Sequence, residues 1–165
     1  MLKKDNLYNL INDTVKDLIK NGRFGDCKNF LQHGDVSVLG HSIGVARMSV
    51  NIATKLGIKV DMDSMIRGAL LHDYFLYDWH DGNPKRRIHG FTHPTTALNN
   101  AKEDYDINDI EADIIKKHMF PLTIVPPKYK ESWIVTIADK VSAVSETVRC
   151  WKKRYRARKM AYENI

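Results

Sequence analysis

Apolar residues recur along this chain at the three- and four-residue spacing of helices, and no stretch alternates at period two over a useful length. Residues 3–21 place Leu7, Leu10, Ile11, Val15, Leu18 and Ile19 on one face, and Gly22 follows as a stop. Residues 23–36 carry no period and read as irregular, with a short helical turn near Phe30-Leu31. Ser37 suits the N-cap of a helix running to Leu56, with Gly57 as its C-terminal signal. Asp61 or Asp63 would cap the next helix, which carries Met65, Ile66, Ala69 and Leu70 toward His72-Asp73.

Residues 75–92 break the pattern. Asp81-Gly82-Asn83-Pro84 is a strong turn signal inside a segment that mixes Tyr77, Trp79 and His80 with Lys85, Arg86 and Arg87. Pro94 suits the first turn of a helix through Ala97, Leu98 and Ala101. Asn108 with Glu111 three residues on resembles a capping box for the helix that leads to His118. Pro121, Pro126 and Pro127 stiffen the connection to a final long helix from about Tyr129, which holds Trp133, Ile134, Ile137, Ala138, Val141 and Val144. These elements predict an all-α, single-domain helical bundle of six or more helices: an N-terminal helix (3–21), a central core (37–148) and a basic C-terminal helix (149–165).

Composition changes this picture little and charge changes it at one end. The 165 residues carry a net charge of +6. Residues 149–165 hold seven Lys/Arg against Glu163 alone, which is the whole of the excess. Residues 149–159 therefore offer a polyanion such as a nucleic acid an attractive surface. Trp151 and Tyr155, four apart, predict a helix with an aromatic edge on the core and a solvated basic face. No apolar run approaches the roughly 20 residues that cross a bilayer, and the charged start Met1-Leu2-Lys3-Lys4-Asp5 lacks the apolar block of a secretion signal. Cys27 and Cys150 suggest no disulfide framework, so a reduced, cytoplasmic protein without membrane partners is expected.

The chemistry concentrates at His72-Asp73, where Leu70-Leu71 put two metal-binding side chains at the edge of a core. A buried carboxylate without partners is costly, so other groups must converge on it. His41, His93, His118 and Asp139 are the candidates. His41-Ser42-Ile43-Gly44-Val45-Ala46, Leu70-Leu71-His72-Asp73 and Ile137-Ala138-Asp139-Lys140-Val141-Ser142-Ala143 together resemble the HD-domain superfamily of metal-dependent phosphohydrolases, from about Leu39 to Val144.

The resemblance implies that His41, His72, Asp73 and Asp139 hold a first metal and that Asp73 bridges to a second on His93 and His118. It is closer to the two-metal branch that splits diadenosine tetraphosphate than to the HD-GYP phosphodiesterases, because Met119-Phe120-Pro121 stands where the latter carry Gly-Tyr-Pro. Leu76 replaces a lysine that many relatives carry three residues after the doublet. Lys85, Arg86 or Arg87 would supply that charge from the loop, and His89 and Lys140 are the further residues expected to contact substrate.

Mixed imidazole and carboxylate ligands favour one or two divalent transition metals, Fe, Mn, Zn, Co or Ni. The expected activity is hydrolysis of a phosphoester or phosphoanhydride in a nucleotide-like substrate by a metal-activated water, with Asp73 and His72 as the catalytic pair. The alternative is a catalytically weak HD-fold nucleotide-binding or regulatory module, associated with RNA through its basic tail.

Overall fold

The computed structural model describes residues 4–82 and 88–163. Helix α1 (Lys4–Asn21) leads into a 3-10 segment (Arg23–Asn29) and a two-stranded antiparallel hairpin, β1 (Leu31–His33) and β2 (Val36–Ser37). Helices α2 (Val38–Lys55), α3 (Met62–Leu71), α4 (His89–Asp104), α5 (Asp109–Lys117) and α6 (Lys130–Glu163) follow. The bundle is all-α, as the periodicity implies. The residues read as irregular fold instead into the 3-10 segment and hairpin, two elements too short for their own residues to show a period.

Helix boundaries follow local chemistry. The Ser37 hydroxyl accepts from the Gly40 amide at the start of α2, and Asp61, of the two candidates, caps α3 by accepting from Ser64. Asn108 and Glu111 form the reciprocal capping box of α5. At Gly57 the backbone turns left-handed (φ +66°), which ends α2. Two boundaries differ from expectation. Helix α4 begins at His89, so Pro94 lies in its second turn; burial of His89 and His93 on one face extends the helix upstream of the proline. Helix α6 runs unbroken through the change in composition at residue 149, because neither Gly nor Pro occurs between Lys130 and Glu163.

Helix α2 is central, packed against α3 and α6, while α5 bridges α3 and α6. Val45, Ala46, Val50, Met65, Ala69, Leu70, Ile114 and Ala138 are fully buried between them. Gly68 allows the close approach of α3 to α5: a Cβ there would sit 2.6 Å from Cδ1 of Ile114. A polar network ties the amino-terminal elements to α4. Arg23 pairs with Glu103 and Asp104, the Tyr74 hydroxyl donates to Asp104 (2.5 Å), and the Tyr105 hydroxyl donates to the Leu18 carbonyl (2.7 Å).

The aromatic edge expected to pack on the core does not. Trp151 and Tyr155 stack on each other, 6.0 Å between ring centroids, and both are exposed. Cys150 takes the inward position, and a rotation of roughly 100° per residue carries its neighbour Trp151 away from the body. Among the described residues, no helix is long and apolar enough to cross a membrane.

Candidate metal centre

Four helices and one loop deliver the six expected side chains to one buried place. His41 comes from the first turn of α2, His72 and Asp73 follow the end of α3, and His93 comes from α4. His118 is the C-cap of α5 and Asp139 stands in α6. His41, His72, Asp73, His93 and His118 are at most 3 % exposed, and Asp139 is buried beside them.

Asp73 stands at the centre with its two oxygens facing opposite ways. Oδ2 lies 3.2 Å from Nε2 of His72 and 3.8 Å from Nε2 of His41. Oδ1 lies 3.2 Å from Nε2 of His93 and 3.5 Å from Nε2 of His118. Asp139 joins the first half, its Oδ1 being 3.0 Å from Nε2 of His41 and 3.6 Å from Nε2 of His72. Two groups of side chains that could each hold a metal ion thus share one carboxylate: His41, His72 and Asp73, and Asp73, His93 and His118.

The imidazoles are held in the orientation that a metal needs. Nδ1 of His72, His93 and His118 faces the carbonyls of Ala69, His89 and Ile115 at 2.8, 2.8 and 2.9 Å. Only an N–H satisfies a carbonyl, so a neutral ring turns the lone pair of Nε2 into the site. His41 uses a side chain for the same purpose, its Nδ1 lying 3.0 Å from Oε2 of Glu146.

The donor set fits a divalent cation on its own evidence. Nε2 of His72 and Oδ1 of Asp73 are buried and find no hydrogen-bond partner among the described residues. Nε2 of His93 and Nε2 of His118 face each other at 2.8 Å. With both Nδ1 atoms bound to carbonyls, those two lone pairs repel unless a cation or proton lies between them.

The carboxylates and imidazoles of the centre interact strongly with one another. Burial opposes ionisation of Asp73, yet His72 and His93 outweigh it and hold the carboxyl well below its usual range. Burial likewise opposes the charge on Asp139, and the hydrogen bond to His41 together with the nearby His72 holds it down. Burial works against a charge on His41, but Asp139 and Glu146 lift that imidazole to about 9. His72 is raised for the same reason, burial being overcome by Asp73 and Asp139. Burial, reinforced by His72 and His93, pushes His118 down to about 3, which leaves it a neutral donor. Two carboxylates and several imidazoles in a dry site suit a hard-to-intermediate cation.

The residues expected to contact substrate are placed differently from one another. Lys85, Arg86 and Arg87 lie outside the described residues. His89 is buried: its Nδ1 meets the Tyr77 hydroxyl at 2.8 Å, its ring stacks between Trp79 and His93, and its carbonyl anchors His93. Trp79 is therefore engaged in anchoring its own loop. Lys140 donates to the His118 carbonyl (2.9 Å) at the C-terminal end of α5. A cavity of about 530 Å³ opens beside Asp139 and Lys140, walled by Met119, Pro121, Leu122 and Ala143.

Sequence reasoning missed two neighbours of the centre. Glu146 is legible only afterwards, as the residue two turns beyond Asp139 on the same helix. Gln32, buried at the middle of β1, donates to Oδ2 of Asp73 at 2.5 Å. Nothing in the irregular stretch around Gln32 signals that role, since it depends on a hairpin too short to leave a pattern.

An all-α bundle with a buried centre of imidazoles around a shared carboxylate has a set of side chains that could hold divalent metal. The chain belongs to the HD domain family, whose model matches residues 38–144 and so spans all six of these side chains. HD domains bind divalent metals and are in general metal-dependent hydrolases, and the buried cluster is consistent with both properties. No curated protein and no solved structure matches the chain significantly.

Proposed function

We propose that the chain is a two-metal phosphohydrolase acting on a phosphoester or phosphoanhydride of a nucleotide-like substrate. His41, His72, Asp73 and Asp139 would hold one divalent cation, and Asp73, His93 and His118 the other. The observation that carries this reading is Asp73, whose two oxygens each face a separate pair of histidines. When bound, such a pair of cations supplies Lewis acidity at a phosphoryl oxygen and activates the attacking water.

The chain's own residues do the positioning. Asp73 spans both halves, His72 is fixed by the Ala69 carbonyl, and the centre as a whole is shielded from bulk solvent. Lys140 stands at the cavity with burial lowering its pKa, and offers a cation to a phosphate oxygen in the absence of a lysine at position 76. The cavity wall of Met119, Pro121, Leu122 and Ala143 suits the apolar face of a nucleobase. Of the branches the sequence resembles, the one that splits diadenosine tetraphosphate fits this wall, because Pro121 and Met119 line it where a Gly-Tyr-Pro motif would differ.

Elemental analysis of freshly purified protein should return two divalent ions per chain. His41→Ala and His93→Ala should each lose one, and Asp73→Ala should lose both with all turnover of p-nitrophenyl phosphate, bis-p-nitrophenyl phosphate and a nucleotide panel. An Asp73→Ala protein that still turns over would refute the proposal. A metal-replete protein that binds nucleotides and hydrolyses none would instead be a regulatory module.

A further inference from the structure

Helix α6 buries one side in the bundle and carries a second apolar stripe on the side turned away. Trp133 and Ile137 open that stripe, and Val141, Val144, Val148, Trp151 and Tyr155 continue it at alternating spacings of three and four. Every one of them is 41–65 % exposed. At roughly 100° per residue they share one sector, opposite the buried Val135, Ala138 and Ser142. Such alternation is the seam of a coiled coil, and it fits another helix better than a flat surface. From Trp151 to Met160 every side chain is exposed, so the helix overhangs the body.

We infer that two copies of this chain pair through the stripe, α6 antiparallel to α6, with a two-fold axis at Val144. The stripe is nearly self-complementary about that residue. Trp133 and Tyr155 lie eleven positions either side of it, and Ile137 and Trp151 lie seven either side. Antiparallel pairing therefore sets Trp133 of one copy against Tyr155 of the other and Ile137 against Trp151, the same patch serving on both sides as a two-fold contact requires.

The area suffices. With about 100–250 Å² of surface per side chain from Val to Trp, the exposed fractions leave about 600 Å² open on each copy. Covering both removes about 1,200 Å², within the range of specific interfaces.

Charge selects the direction. A parallel pair would lay the seven Lys/Arg of residues 149–159 beside the same seven. In the antiparallel pair the two basic segments are centred about 30 Å apart, nearly four screening lengths at physiological salt. A nucleic acid would account for the cations alone, since Ile137, Val141, Val144 and Val148 all precede the basic segment.

Sedimentation velocity on the full chain at micromolar concentration should give twice the 19.0 kDa chain mass. Val144→Glu, at an exposed position, should give the single mass with an unchanged circular dichroism spectrum. Under mild oxidation Val144→Cys should link two copies. Trp151→Cys should not, because its two copies stand about 21 Å apart, beyond the reach of a disulfide. Cys27 and Cys150 are buried and do not compete. The inference is overturned by a single-chain mass for the unaltered protein, by a Val144→Glu dimer, or by efficient linking at Trp151→Cys. A chain that stays single and binds an RNA oligonucleotide through this face would overturn it equally.

Discussion

Glu146 makes the orientation of the centre open to a single substitution. His72, His93 and His118 are anchored on backbone carbonyls, which no side-chain change removes, whereas His41 is anchored on the Glu146 carboxylate at 3.0 Å. Glu146→Ala leaves Nδ1 of a fully buried imidazole without its acceptor. The ring then switches tautomer, which places a proton on Nε2, or rotates, and either change takes the Nε2 lone pair out of the first metal position. A hydrogen bond to a charged group contributes about 1.5–3 kcal/mol. Loss of a partner behind a metal-binding histidine costs about 10–100-fold in metal affinity, or about 1.4–2.7 kcal/mol.

The two routes agree on a tenfold to hundredfold weaker first metal, with the His93–His118 half unaffected. Calorimetric titration of chelator-stripped protein with Mn or Zn would read this as a weakening of one of two binding events. Glu146→Gln keeps an acceptor oxygen and should retain most of the affinity. A folded Glu146→Ala protein that binds both ions with the original constants would show that the carboxylate does not orient His41.

Three further outcomes follow from the geometry. Adding Mn to stripped protein should raise the melting temperature, by about 2.7 kcal/mol of added stability at a hundredfold excess over Kd, and Asp73→Ala should abolish the shift in a thermal melt. Gly68→Ala gains about 1 kcal/mol of helix propensity but drives a Cβ to 2.6 Å from Cδ1 and 3.0 Å from Cβ of Ile114. Overpacking of about 1–3 kcal/mol should win, giving a net loss in chemical denaturation. The Asp104 carboxyl is held below the usual range by Arg23, with Tyr74 adding to this against the opposing effect of burial. Its ionised form therefore stabilises the fold above its unfolded value of about 3.9, and that contribution disappears as pH falls through the lower folded value. Asp104→Asn should be less stable at neutral pH by about 1–2 kcal/mol, with a shallower decline in acid across that window.

Much of the centre was legible in the chain because several of its side chains sit in a strong local context. His72-Asp73 follows a buried run, His118 ends a helix opened by a capping box, and Asp139 lies among Ile137, Ala138 and Val141. Period, caps and breakers are properties of a few consecutive residues, so they fix helices without reference to the rest of the molecule. The hairpin that brings in Gln32, the early start of α4 and the unbroken run of α6 were harder. Each rests on packing partners distant in sequence or on the lack of any local stop.

The amino-acid sequence by itself determined the helical bundle, the family and the identity of the six side chains. Tertiary structure alone decided that Asp73 divides its two oxygens between two sets of histidines, that Glu146 rather than a carbonyl holds His41, and that Trp151 and Tyr155 face outward. The physical reason is the same in each case. Which atom of a side chain meets which partner depends on angles between helices, and those are set by the whole core rather than by neighbouring residues.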